Sequence, residues 1–108
     1  MSEQSATDYT QVEGTPPDQD ELTSVFVGQN RIAIANTGGS YYAFDDTCTH
    51  MGCSLSDGDV DADDVTVTCP CHMGQYDMRT GEVVGGPPPA GVKTYPVQVE
   101  DGTIRIKA

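Results

Sequence analysis

All four cysteines (Cys48, Cys53, Cys69, Cys71) and both histidines (His50, His72) of the 108-residue chain fall in two short boxes. The first is Cys48-Thr49-His50-Met51-Gly52-Cys53 and the second is Cys69-Pro70-Cys71-His72. Histidines placed at random on a surface or in a core would not both lie so close to a cysteine. Thiolates together with imidazoles select Zn²⁺ or iron–sulfur chemistry over Ca²⁺ or Mg²⁺. A single structural zinc wants two to four residues between its first pair of ligands, and the lone Thr49 between Cys48 and His50 fits that poorly. Haem attachment and thioredoxin-like dithiol chemistry both require Cys-x-x-Cys, and Cys69-Pro70-Cys71 is one residue short. Two disulfides with idle histidines remain open, although an acidic start, Met1-Ser2-Glu3-Gln4, with no apolar segment behind it does not read as a secretory leader. A metal cluster is the favoured reading.

The elements that must hold these boxes read as strands. Thr23 to Val27 and Arg31 to Asn36 are β-branched or alternating runs joined at Gly28-Gln29-Asn30, a hairpin signature. Thr37-Gly38-Gly39-Ser40 turns into a third strand, Ser40 to Phe44. Near the end, Lys93 to Glu100 alternates, Asp101-Gly102 turns, and Thr103 to Lys107 alternates again. No window carries a 3.6-residue apolar stripe. The fold class is therefore all-β, with short antiparallel strands. Residues 1–21 form a polar N-terminal segment, a strand start followed by a loop. The middle, from about 45 to 89, holds every Cys and His and only one clear strand, Val65 to Thr68. So long a loop-rich stretch in so small a chain is a functional insertion.

Length allows one domain, residues 1–108, with no room for a second independent core. Hydrophobic residues make up 36% of the chain, with 12 Gly and 7 Pro. At this size apolar burial alone gives marginal stability, so a metal, a cross-link or a partner should contribute. Five basic against 17 acidic residues give a net charge of −12. That field repels nucleic acid and anionic membrane, which excludes both as partners. No segment approaches the roughly 20 apolar residues of a membrane span, and the chain reads as soluble and cytoplasmic. The acidity fits equally a salt-adapted (halophilic) host and a docking face for a basic partner.

Cys48-x-His50, an 18-residue gap and Cys69-x-x-His72 closely resemble the Rieske [2Fe–2S] pattern, in which two histidines replace two cysteines on one iron. Tyr42-Ala43-Phe44-Asp45-Asp46, Tyr76-Asp77, Gly86-Pro87-Pro88-Pro89 and Tyr95-Pro96-Val97-x-Val99 extend the likeness over about residues 22 to 107. The resemblance implies an antiparallel β-sandwich base with a loop-rich cluster-binding subdomain and one [2Fe–2S] cluster per chain. It puts Cys48 and Cys69 on one iron, and His50 and His72 on the other through Nδ1. The implied activity is one-electron transfer at the histidine edge, with potentials in a window of roughly −150 to +300 mV; catalysis of a substrate reaction is not implied. Redox partner proteins follow as donor and acceptor.

Cys53 and Cys71 match the positions at which quinol-oxidising Rieske proteins and small subunits of some molybdenum oxidases carry a disulfide between the cluster loops. The resemblance favours a bridge here over two buried thiols. Tyr76 matches a tyrosine that hydrogen-bonds a ligand sulfur in that branch, whereas dioxygenase ferredoxins usually carry Phe there and lack the extra pair. Gly74 replaces that branch's serine and cannot donate to a bridging sulfide. One bond kept and one lost imply an intermediate to moderately high potential. Met51 takes the place of an apolar residue that shields the cluster, Gly52 and Gly74 let backbone approach it, and the run around Pro88 resembles a covering proline loop. Two settings stay open: a free ferredoxin feeding an oxygenase or another reductase, and a small subunit or partner in a respiratory-type or molybdenum-oxidase chain. From a different class, a zinc-stabilised interaction module would share the donors. Asp57 to Asp64 departs from a calcium-loop pattern, with Ala62 and Thr68 at the required Gly and Glu positions, and reads as a solvated acidic loop.

Overall fold

Ile32, Ala33, Ile34 and Ala35 are all fully buried, although alternate side chains of a strand point to opposite faces. Their strand must therefore be covered on both sides, and the rest of the chain supplies the two covers. The computed structural model describes residues 9–47, 53–70, 74–85 and 91–107. The central sheet holds β2 (Glu21–Val27), β3 (Asn30–Thr37), β4 (Ser40–Asp45) and β9 (Thr94–Tyr95), in the order β2-β3-β4-β9 and antiparallel throughout. Two-residue turns at Gly28-Gln29 and Gly38-Gly39 set the β2–β3 and β3–β4 registers, pairing Val27 with Asn30 and Thr37 with Ser40.

One face of this sheet, through Val25, Ile32, Ile34 and Ala43, packs on Val12, Ile104 and Ile106. Those three belong to a second sheet of β1 (Thr10–Val12), β11 (Thr103–Ile106) and β10 (Val97–Glu100), in the order β1-β11-β10. Here the alternating run from Lys93 to Glu100 is split. Pro96 lacks an N–H to donate, so Thr94 and Tyr95 stay with β4 while Val97 onward joins the second sheet. Lys107 N–H closes the corner on the Pro96 carbonyl at 3.0 Å.

The opposite face presents Ala33, Ala35 and Phe44 to Leu55, Val67, Cys69, Tyr76, Met78 and Val92. The division of β3 into Ile on one side and Ala on the other is a packing choice. Two methyl side chains leave room for the larger Tyr76 and Met78, as close packing requires. This face supports a third antiparallel sheet of β5 (Asp59–Asp61), β6 (Thr66–Thr68), β7 (Gln75–Asp77) and β8 (Val83–Gly85), each paired with the next. A 3-10 turn, Leu55–Asp57, precedes it.

The all-β expectation holds; among the described residues there is no α-helix, and no helix is long and apolar enough to cross a membrane. The middle of the chain is more regular than expected, with four strands where one was legible. Val65, placed in a strand from sequence, has φ 56° and belongs to the turn before β6.

Candidate metal centre

Both boxes are flanked by paired residues. Thr47 and Ser54 form an isolated antiparallel bridge just beyond β4, which closes residues 48–53, the first box, at its base. The β6–β7 hairpin pairs Thr68 with Gln75 on either side of residues 69–74, which include the second box. Each box thus opens with a cysteine directly after a paired threonine. In the second loop Cys69 N–H donates to the Gly74 carbonyl at 2.7 Å, so the loop ends are held at hydrogen-bond distance. The Cys69 thiol is free and fully buried, in a core with Leu55, Val67 and Tyr76. A buried thiol in apolar surroundings is inert unless a metal draws off its proton.

The first loop is held more elaborately. Asp46 is fully buried, and its carboxylate takes Ser56 N–H at 2.6 Å on Oδ1 and Ser56 Oγ–H at 3.0 Å on Oδ2. The Asp46 carbonyl accepts Leu55 N–H at 2.6 Å, and its own N–H donates to the Arg31 carbonyl at 3.2 Å. Arg31 Nε stands 2.7 Å from Asp46 Oδ2 as an ion pair without hydrogen-bond alignment, and Arg31 Nη2 donates to Ser54 Oγ. Sequence reasoning missed this group. Asp46 follows the end of β4, and nothing local in the sequence marks its contact with Arg31.

The β7–β8 connection is fixed by Asp77, whose Oδ1 accepts Arg79 N–H at 2.8 Å and whose Oδ2 takes Arg79 Nη2 at 3.0 Å. The Arg79 hydrogen bond holds the Asp77 carboxyl below the usual carboxylate range. Val92 N–H donates to the Gly81 carbonyl at 2.8 Å, which brings the chain back to the core after the segment holding Pro88. The acidic loop is a local turn: Asp61 Oδ1 accepts Asp63 N–H at 3.0 Å and Asp64 N–H at 3.3 Å.

Of the expected site residues, Cys69, Gly74 and Tyr76 are buried together on the third sheet's hairpin. Cys48, His50, Met51, Gly52, Cys71, His72 and Pro88 lie outside the described residues. Cys53 is half-buried, and Cys71, with which the resemblance pairs it, lies outside the described residues. Paired loops, a buried free thiol heading one of them, and a donor set of cysteines and histidines fit a two-iron cluster.

The Rieske [2Fe-2S] domain family matches residues 8–96. The chain belongs to this family. It is 43% identical over 75 residues to the ferredoxin subunit of a 3-phenylpropionate/cinnamic acid dioxygenase from Shigella flexneri, covering 69% of this chain and 70% of that one. The Rieske fold is also similar to the ferredoxin of carbazole 1,9a-dioxygenase from Nocardioides aromaticivorans, with a TM-score of 0.83, 27% identity and coverage of 91% and 95% of the two chains. A chain in a complex of reduced oxygenase and oxidized ferredoxin of carbazole 1,9a-dioxygenase matches with a TM-score of 0.79 and 28% identity, over 92% of each chain. The protein is a Rieske-type electron carrier, with a [2Fe–2S] cluster as its cofactor and no catalytic role of its own. Zinc is thereby set aside.

Proposed function

We propose that Cys48 and Cys69 bind one iron and His50 and His72 the other, and that the chain carries single electrons from a reductase to the terminal oxygenase of an aromatic-ring dioxygenase system in the cytoplasm. The observation that carries the ligand assignment is the matched construction of the two loops, each headed by a cysteine directly after a paired threonine. The oxygenase partner is argued from likeness, since the relatives are dioxygenase ferredoxins. Thiolates on one iron favour its ferric state and neutral imidazoles favour reduction of the other, so the added electron resides on the histidine side. Residues 1–108 act as one unit, with about 45–89 carrying the cluster. A groove of about 300 Å³ lined by Asp20, Glu21, Ser56 and Asp59 suits basic side chains of a partner, with association slowing as salt rises.

A second reading rests on Cys53 and Tyr76. A Cys53–Cys71 bridge and a tyrosine donor to sulfur belong to the high-potential branch, which would make the chain a partner of a respiratory-type or metal-oxidase system. An EPR-monitored redox titration at several pH values tests both readings. A Rieske signal with a negative, pH-independent potential supports the oxygenase ferredoxin. A potential well above zero that falls with pH near neutrality supports the second setting. Zinc in place of iron would overturn both. The bridge is tested by mass mapping of the oxidised protein; linked in this way, the residues between Cys53 and Cys71 form a loop worth about 3 kcal/mol.

A further inference from the structure

We infer that Arg31 and Asp46 form a charge-balanced strut that positions the first ligand loop and sets the cluster potential. The inference rests on the ligand assignment proposed above. Asp46 joins the two stems of that loop directly. It belongs to the incoming stem, and its side chain and carbonyl together take three hydrogen bonds from Leu55 and Ser56 on the outgoing stem. Arg31, on β3, holds both stems at once through the Asp46 carboxylate and Ser54 Oγ. The strut therefore anchors the loop to the rigid central sheet, in the way second-layer residues fix metal ligands.

Two peptide units, no more than about 7 Å of chain, separate Asp46 from Cys48. One-electron reduction adds a negative charge to the cluster, and a buried carboxylate two residues from a proposed ligand opposes it, poorly screened by water or salt. Arg31 supplies the compensating charge. Its side chain is 38% exposed while that of Asp46 is 0%, so the pair presents a buried anion and a cation facing outward. The balance can be broken from either side, with opposite consequences. Asp46→Asn keeps an acceptor for Ser56 and removes the negative charge; Arg31→Gln leaves the negative charge uncompensated, with both Ser56 donors still in place.

The test is an EPR-monitored potential titration of iron-loaded parent, Asp46→Asn, Arg31→Gln and the double variant, with g-values recorded for each. The midpoint should rise in Asp46→Asn, fall in Arg31→Gln and return near the parent in the double variant. Arg31→Lys, which restores charge without the guanidinium fork, should recover the parent potential. A purely structural role would move both single variants the same way or leave both unmoved, and either result overturns the inference. Should Arg31→Gln fail to retain iron, the contrast between Asp46→Asn and Arg31→Lys decides: equal potentials in these two overturn it. A parent without a Rieske signal would overturn the ligand assignment, and the inference with it.

Discussion

The Tyr95 hydroxyl donates a 2.6 Å hydrogen bond to Asp45 Oδ1, fastening the two-residue strand β9 to the last residue of β4. Partial burial, and then the Asp45 carboxylate, push the Tyr95 pKa up to about 12 from 10.0. Above its ordinary pKa the unfolded chain loses a phenol proton that the folded chain keeps. The resulting stability is fully present below pH 10 and is lost as pH rises toward 12. Solvent screening of this partly exposed group limits the effect to about 1 kcal/mol. Urea unfolding at stepped pH should show that loss in the parent and a flatter profile in Tyr95→Phe. Parallel profiles would count against the bond.

Glycine substitutions should separate close approach from backbone conformation. A Cβ on Gly58 would lie 1.9 Å from the Thr68 carbonyl oxygen, so Gly58→Ala must move β6 at the point where it enters the second ligand loop. The expected cost is about 3 kcal/mol, with weakened iron retention. Gly28 has φ 63° and open space around it, so Gly28→Ala should cost only about 1 kcal/mol and leave iron content unchanged. Thermal unfolding with iron analysis checks both. Equal losses in the two variants would refute the distinction.

How far the sequence announces this structure depends on what sets each part. The base strands are legible because their alternation and their glycine turns are local. β5, β7 and β8 read DVD, QYD and VVG, too short to show a period, and they form through pairing with neighbours. Val65 looks like strand because it is β-branched, yet it completes the turn after the Asp61 cap with φ 56°. The ligand boxes are legible because the chemistry restricts residue type and spacing. Arg31 and Asp46 are not, since one of twelve aspartates is marked only by a contact made across two strands.

Tyr76 is fully buried on β7, opposite Val67 and in one core with Cys69. A phenol so placed needs a partner for its hydroxyl, and the proposed acceptor is a ligand sulfur. Such a bond stabilises the more negative reduced cluster. Tyr76→Phe should therefore lower the reduction potential while costing about 1 kcal/mol of stability. Voltammetry alongside thermal unfolding separates the two effects. An unchanged potential would remove the sulfur as the acceptor.

The two faces of the central sheet serve different ends, and mutation should separate them. Phe44 is fully buried on the side shared with Cys69, Leu55 and Tyr76, whereas Ile104 is fully buried on the other side with Ile32 and Ile34. Phe44→Ala and Ile104→Ala remove comparable packing, about 3–5 and 2–5 kcal/mol respectively. Their effect on the cluster should differ. Loss of Phe44 leaves a cavity in the core it shares with the proposed ligand Cys69, so the EPR line should broaden and iron should be lost on gentle warming. Loss of Ile104 is separated from the ligand loops by β3 itself, so unfolding should come earlier with an unaltered EPR line up to the transition. Equal disturbance of the line in both variants would mean that the sheet does not insulate the cluster from the base.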